Sequence, residues 1–269
     1  MTAQWRGALL NAIAASDATS SVLVIDPVSG EKCSYNSGRR MLSASLIKLP
    51  VLWNLFERAE SGELRLDEQI TLDDAHRVDG GLLHKFSKHP SLRLEDYALL
   101  MCAVSDNSAA NTLIDRLGMD TVNATAKKLG MTQTELQRKM LDSEARKAGK
   151  DNWTCADDVA AFYTHLLNAD GLSKASCARM MDMLSAQKLQ SKLAGNIPCE
   201  DVDDLEKVLI HKTGELGGHE HDAGILFPFG PRPLIVVVMT TLLSDRLSGV
   251  SLCSAIGRAL YDAMAPLQA

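Results

Sequence analysis

No apolar run in this 269-residue chain approaches the roughly 20 residues needed to cross a bilayer. No block of Lys and Arg marks a nucleic-acid or anionic-membrane surface either, because 28 basic and 34 acidic residues are interspersed for a net charge of −6. The cysteines (Cys33, Cys102, Cys155, Cys177, Cys199 and Cys253) include no C-x-x-C pair, which argues against a metal knuckle. Several of them fall on apolar helical faces and read as reduced core thiols. No internal repeat, low-complexity linker or secretory leader is visible, and Met1 is expected to run directly into a helix over Thr2–Ala15, with an apolar stripe of Trp5, Leu9, Leu10 and Ile13. With the cysteine usage, this favours the cytoplasm, or the periplasm or exterior if a leader has been removed. What is present is 46% hydrophobic content, enough to bury a large core as one domain or two intimate lobes.

Strand patterns lie near both ends. Ser21–Asp26 and Glu31–Tyr35 read as a hairpin around Pro27-Val28-Ser29-Gly30. Val208–Glu215, Ala223–Phe227 and Leu234–Thr241 follow late in the chain, with Gly230-Pro231 turning between the last two; Ile235–Met239 reads as buried strand. From Ser45 to about Leu193 nearly every periodic segment is helical, and a helix over Leu247–Met264 closes the chain. The pattern predicts an α/β chain of the α+β type. Residues 1–42 and 205–269 would build one antiparallel sheet flanked by helices, and residues 43–204 an inserted all-helical lobe.

Three motifs fit that frame. Ser45-Leu46-Ile47-Lys48 opens a segment, Ser45–Ser61, in which Leu46, Leu49, Leu52 and Leu55 recur at helical spacing. A serine in the first turn lies near unpaired N–H groups and the positive helix end, with Lys48 on the same face. Ser105-Asp106-Asn107 turns from the helix Leu94–Val104 into the helix Ala109–Leu117. Lys212-Thr213-Gly214 sits on the strand begun by Val208-Leu209-Ile210, where Gly214 admits close approach of another backbone or a ligand. About one Ser-x-x-Lys is expected by chance at this length, and Ser185-Ala186-Gln187-Lys188 supplies such a match. Singly, the motifs also read as an N-cap serine, a loop cap and a glycine bulge. The ordered trio supplies a nucleophile, two basic groups and a relay hydroxyl. Ser45 would be the nucleophile, and Lys48 its base once desolvation and a second cation, Lys212, favour the neutral amine. Ser105 would pass a proton to the departing nitrogen, Asn107 would hydrogen-bond the substrate amide or Lys48, and the Thr213 hydroxyl would bind a substrate carboxylate.

On these motifs the chain resembles the penicillin-recognising serine hydrolases, specifically the class A β-lactamase branch and its penicillin-binding relatives. The likeness covers most of the chain and is densest over Leu99–Asn111 and His211–Glu215. It implies a two-lobed fold with the site in the cleft between sheet and helices. It also implies an oxyanion hole from the backbone N–H groups of Ser45 and Glu215, with no metal and no organic cofactor.

The chain departs from the family pattern in two places. Class A enzymes carry a loop glutamate that activates water for deacylation; matching the loop's arginine to Arg138 puts Met140 at that position. A thioether accepts no proton at neutral pH, which removes a factor of roughly 10²–10⁴ unless Asp142 or Glu144 substitutes. Both also read as loop salt-bridge partners of Arg138 or Arg146. The second departure concerns the arginine that holds the substrate carboxylate, for which Arg246 is the candidate. Nearby, His219 and His221 would share a strand face, but no third ligand stands at useful spacing, so a polar rim on the cleft is expected.

Three functional classes follow. The first is a monomeric serine acyl-hydrolase for small molecules, acting on β-lactams or on D-alanyl amides and esters, with β-lactamase and peptidase or esterase activities separated by the speed of deacylation. The second is a β-lactam-binding module in which acylation is the signal. The third is a scaffold without catalysis, against which the retention of all three motifs speaks. Neither a nucleic-acid partner nor a membrane span is expected.

Overall fold

A computed structural model describes residues 4–199 and 201–267, so the expected helix start at Thr2 lies outside the described residues. Helix α1 (Gln4–Ala14) leads into strands β1 (Thr19–Asp26) and β2 (Glu31–Tyr35). A two-residue strand β3 (Met41–Leu42) and a 3₁₀ turn (Ala44–Ile47) open into α2 (Lys48–Glu60). Strands β4 (Gln69–Thr71) and β5 (Ser91–Arg93) bracket a long loop, then α3 (Leu94–Ala103), α4 (Asn107–Leu117), α5 (Met119–Lys128) and the short α6 (Ser143–Lys147) follow. Strand β6 (Trp153–Thr154) precedes α7 (Ala156–Asn168), α8 (Lys174–Ser185) and α9 (Val202–Val208). The chain ends in β7 (Leu209–Leu216), β8 (His219–Leu226), β9 (Leu234–Thr241) and α10 (Arg246–Met264). No described helix is long and apolar enough to cross a membrane.

The five main strands pair antiparallel in the order β2-β1-β9-β8-β7, so strands from both ends of the sequence share one sheet. Both faces are covered, which the period of two along each strand makes visible. Leu23 on β1 and Ile235, Val237 and Met239 on β9 join the core shared with α2, α3, α4 and α7. Val22, Val24, Leu234, Val236 and Val238 face Trp5 and Leu9 of α1 and Leu252 and Ile256 of α10. Strand β9 is covered on both sides and is accordingly apolar over its first six residues, ending in Thr240 and Thr241.

Several boundaries differ from expectation for physical reasons. Ser45 lies inside the 3₁₀ turn and α2 begins only at Lys48, because the Lys48 N–H already bonds the Ser45 carbonyl three residues back. Val208 ends α9 instead of opening β7. Strand β8 starts at His219, not Ala223: the run His219-Glu220-His221-Asp222 looks too polar for a core strand, but each buried polar side chain in it has a partner across the structure. Two short pairs, β3–β6 and β4–β5, are too brief to leave a periodic signal.

The segment after α8 is clamped between α10 and the sheet. A Cβ on Gly257 would lie 1.9 Å from the Leu193 carbonyl oxygen, and the Leu193 N–H donates to Asp222 Oδ2 on β8 at 2.9 Å. Gly257→Ala should therefore push α10 off this segment and destabilise the protein by about 1–3 kcal/mol in urea denaturation. Wild-type stability in the variant would show that the contact does not hold α10 in place.

Candidate active site

The 3₁₀ turn sets Ser45 and Lys48 in register, since residues three apart eclipse in that geometry. Ala44, immediately before the serine, has φ of 46°, a left-handed strain that persists only where neighbours enforce it. Those neighbours are identifiable. Ser43 donates its N–H to the Asn152 carbonyl (2.9 Å), β3 pairs with β6, and the Leu42 carbonyl accepts from His221 Nε2 (2.8 Å). On the other side, a Cβ on Gly214 would lie 3.3 Å from that of Ala44, so the glycine lets β7 close on the turn.

Beneath this turn the structure gathers both lysines around one hydroxyl. Lys48 Nζ donates to the Ser105 carbonyl (2.6 Å), to Asn107 Oδ1 (2.8 Å) and to Ser105 Oγ (3.2 Å). Lys212 Nζ donates to the same Ser105 Oγ (2.9 Å) and to the Thr213 carbonyl (2.9 Å). Both ammoniums are buried, at 1% and 0% exposure. Burial first, and then the neighbouring Lys212 charge, hold Lys48 well below an ordinary lysine value. Burial likewise brings Lys212 down to about 8. Ser105 itself sits at φ of 55° between α3 and α4, a second strained non-glycine residue at the site.

Asp106 and Asn107 strap the opposite wall in place. Asp106 caps α4 through Ala109 N–H (2.9 Å), and its other oxygen accepts from the N–H groups of Leu82 (2.6 Å) and Leu83 (2.8 Å). The Asn107 amide donates to the Asp79 carbonyl (2.8 Å), so its carbonyl oxygen is turned to Lys48.

The cleft floor is lined by Ala44, Ser45, Asn107, Met140, Glu215 and Leu216. Met140 faces it from a loop tied at its neck by Arg138, which donates to Asp151 Oδ1 through Nε (2.9 Å) and NH2 (2.7 Å). Asn111 fixes the Met140 backbone at both ends, accepting its N–H (2.7 Å) and donating to its carbonyl (3.2 Å). Asp142 and Glu144 do not come to the cleft, which corrects the expectation that either could activate water there. Asp142 caps α6 through Ala145 N–H (2.9 Å), and Glu144 is an exposed partner of Lys147 (2.8 Å). Asp151 does line the cleft, yet its oxygens are held by Arg138 and, at 3.5 Å, by Arg146.

Arg246 stands at the rim with Thr213 and Glu215, with its Nε and NH2 turned to carboxylates of the chain. It grips both Glu215 oxygens (3.2 and 2.9 Å) and reaches Glu220 Oε1 (2.7 Å). His221 forms no polar rim: it is buried, pushed down to about 4 mainly by burial, and spends its nitrogens on Leu42 and Thr240. His219 bonds Thr241 Oγ1 and the Gly217 carbonyl, so the two imidazoles do not converge on a common ligand.

Sequence reasoning missed Lys192, whose buried ammonium donates to the Gly214 carbonyl (2.6 Å) and pairs with Glu220 (2.6 Å). Its partners are more than 20 residues away and leave no local signal. Asn111 was findable, because it lies one helical turn beyond Asn107.

A sequence model of the Beta-lactamase enzyme family matches residues 6–264. The crystal structure of a beta-lactamase from Sphaerobacter thermophilus DSM 20745 is 30% identical and superposes with a TM-score of 0.85, covering 99% of this chain and 98% of that one. A mutant of PBP-A, solved as an acyl-enzyme complex with penicillin-G, is a likeness of fold: TM-score 0.84 and 22% identity over 99% of this chain and 97% of that one. Beta-lactamase CARB-4 from Pseudomonas aeruginosa is 27% identical over 118 residues, 44% of this chain and 41% of that protein, so the match spans less than half of this curated relative.

The buried lysines predict a pH dependence. Below about pH 8 Lys212 is protonated in both the folded and the unfolded chain, and burial disfavours the folded one. Between about 8 and 10.5 the unfolded chain holds a proton that the folded chain has released, so unfolding free energy should rise with pH across that window. Lys212→Met should reduce this rise, leaving the part that Lys48 contributes, and gain up to about 3 kcal/mol at pH 7, read by urea denaturation at successive pH values. Identical profiles for the two proteins would refute it.

Proposed function

This chain belongs to the Beta-lactamase enzyme family, and on that footing we propose that it acylates Ser45 with an ester, amide or β-lactam carbonyl and releases the acyl group slowly. Neutral Lys48 takes the Ser45 proton as Oγ attacks the carbonyl carbon. The resulting oxyanion is held by the backbone N–H groups of Ser45 and Glu215. As the intermediate collapses, the bond to the leaving group breaks and the departing atom takes a proton from Ser105 Oγ. That hydroxyl is resupplied by the lysine ammonium hydrogen-bonded to it. Thr213 and Asn107 orient the substrate.

The observation that carries this reading is the contrast between two walls of one cleft. One wall holds the paired lysines on Ser105. The other presents Met140, and the nearest loop carboxylates are either outside the cleft or committed to arginines. On this reading acylation has a proton acceptor, whereas among the described residues the carboxylates that line the cleft, Asp151 and Glu215, are each paired with an arginine. This favours the slow deacylation of a penicillin-binding relative over rapid β-lactam turnover.

Incubation with nitrocefin or a benzoylglycyl thioester should give a single covalent adduct by intact-mass spectrometry, and Ser45→Ala should give none. Turnover should show a burst of one equivalent followed by a slow phase. An adduct on the alanine variant would sink the serine assignment, and fast turnover without accumulation would sink slow release. Met140→Glu should accelerate the slow phase by about 10²–10⁴-fold, measured as the decay of the isolated adduct; an unaltered decay would mean that Met140 does not occupy the water-activating position.

A further inference from the structure

Lys139 directly precedes Met140, and its ammonium is anchored outside the cleft. It donates to Asp115 Oδ1 at 2.6 Å and lies 3.2 Å from His76 Nε2. Asp115 stands on α4 four residues beyond Asn111, so the two share a helix face. Asn111 holds the Met140 backbone, and Asp115 holds the side chain of the residue before it. His76 belongs to the loop between β4 and β5, which the same helix grips nearer its start. There Ser108 Oγ accepts from the Val78 N–H and donates to the Val78 carbonyl, both at 3.0 Å, and the Asn107 amide donates to the Asp79 carbonyl (2.8 Å). Helix α4 thus carries both loops, and the contact of His76 with Lys139 joins one loop to the other. We propose that Lys139 is a positioning residue that holds the Met140 wall to the cleft through Asp115 and the neutral His76 ring, and that a proton taken up by His76 releases it. For its effect on the reaction, the inference rests on acylation of Ser45 as proposed above.

An ammonium only donates, so the ring accepts through Nε2 and carries its one proton on Nδ1. Nδ1 is buried and meets no acceptor among the described residues, which leaves the Nε2 side to fix the ring. The charged groups that meet it there are Asp115, from α4, and Lys139, from the Met140 loop. Those of its own loop are turned elsewhere. Asp73 accepts from the Ala75 N–H (2.8 Å), Asp74 pairs with His89 (3.0 Å), and Arg77 donates to the carbonyls of His84 and Phe86. A second proton on the ring would sit on Nε2 and face the ammonium, like charge against like charge. It would also turn the ring from an acceptor for Lys139 into a rival for Asp115 Oδ1, 3.6 Å from Nε2. Both changes act against Lys139. The Lys139 hydrogen bond holds Asp115 below the ordinary carboxylate value, so the contested oxygen stays charged in the range of about pH 5–8 where an imidazole changes charge. Arg138 and Asn111 still tie the neck and the backbone, so the wall loosens without the loop unfolding.

Two readouts separate the contact from the reaction. The first is hydrogen exchange of the unacylated protein, resolved to single amides. The Met140 N–H should lose protection about five- to tenfold between about pH 8 and pH 5, after correction for the intrinsic rate, while the Val237 N–H in β9 keeps its value. Lys139→Ala should show the low protection at both pH values. His76→Gln, whose amide oxygen can accept from Lys139 but takes up no proton, should show the high protection at both, and it carries the test if the alanine variant does not fold. The second readout is the nitrocefin concentration that half-saturates adduct formation, followed by intact mass. It should rise about five- to tenfold in Lys139→Ala while the limiting acylation rate stays within about twofold, since the lysine pair lies on the other wall. Flat wild-type protection across this pH range, or wild-type protection in Lys139→Ala, would overturn the inference whatever the reaction does. Unmoved half-saturation with Ser45-dependent labelling would remove Lys139 from the positioning of the site. Absence of any Ser45-dependent adduct sinks the acylation reading and leaves the exchange result standing.

Discussion

Two lysine ammoniums share one buried serine hydroxyl where the helices meet the sheet, and the rest of the structure is arranged around keeping them there. Ammoniums in so dry a place repel one another and lose hydration, so the arrangement depends on the acceptors that meet them. The Ser105 carbonyl, the Asn107 carbonyl and the Ser105 hydroxyl do this for Lys48, while Lys212 uses the same hydroxyl and a strand carbonyl. Strain at Ser105 follows from that demand, because its carbonyl and its side chain must both face Lys48. Such a pocket is unfavourable for stability and useful for chemistry, since an amine that sheds its proton near neutrality can serve as a base.

Around this centre the polar side chains act as struts. His221 ties β8 to β3, Lys192 ties the segment after α8 to the Gly214 carbonyl, and Asp106 ties the Leu82–Leu83 backbone to the head of α4. These contacts join residues distant in sequence, and each positions backbone next to the cleft. His221 illustrates the economy of the scheme: as a neutral ring it donates through Nε2 and accepts through Nδ1, so its low proton affinity is a condition of the strut.

What was legible in the sequence was local. The members of each motif lie within three residues of one another, and the strands flanking Lys212 announce themselves by apolar content. The structure accordingly brings Lys48, Ser105, Asn107 and Lys212 together, and the sheet combines strands from both ends, as strand runs at both ends with helices between them predicted. What was hidden depended on pairing across the fold. The strand beginning at His219 was masked by its own charges, because a buried Glu220 or Asp222 is tolerable only with Lys192 or His211 opposite, and nothing near it in sequence reveals that partner. The roles weighed for Asp142 and Glu144 failed for a related reason: a carboxylate in a loop is equally suited to capping a helix or joining an exposed ion pair, and geometry alone decides.

In this cleft the groups suited to forming an acyl ester are separate from those suited to breaking it. The first set lies on α2, the α3–α4 turn and β7, where it is constrained by the buried core. The second would have to come from the loop at Met140, held by Arg138 below and Asn111 beside it. Since these ties grip the loop backbone and neck, a change of side chain at Met140 leaves the lysine pair untouched. On the proposed mechanism the lifetime of an ester on Ser45 is set almost independently of its rate of formation. A fold that separates the two steps so cleanly can serve as a rapid hydrolase or as a long-lived acyl acceptor with little else altered, and the slow release proposed for this chain is the second case, resting on the thioether at Met140.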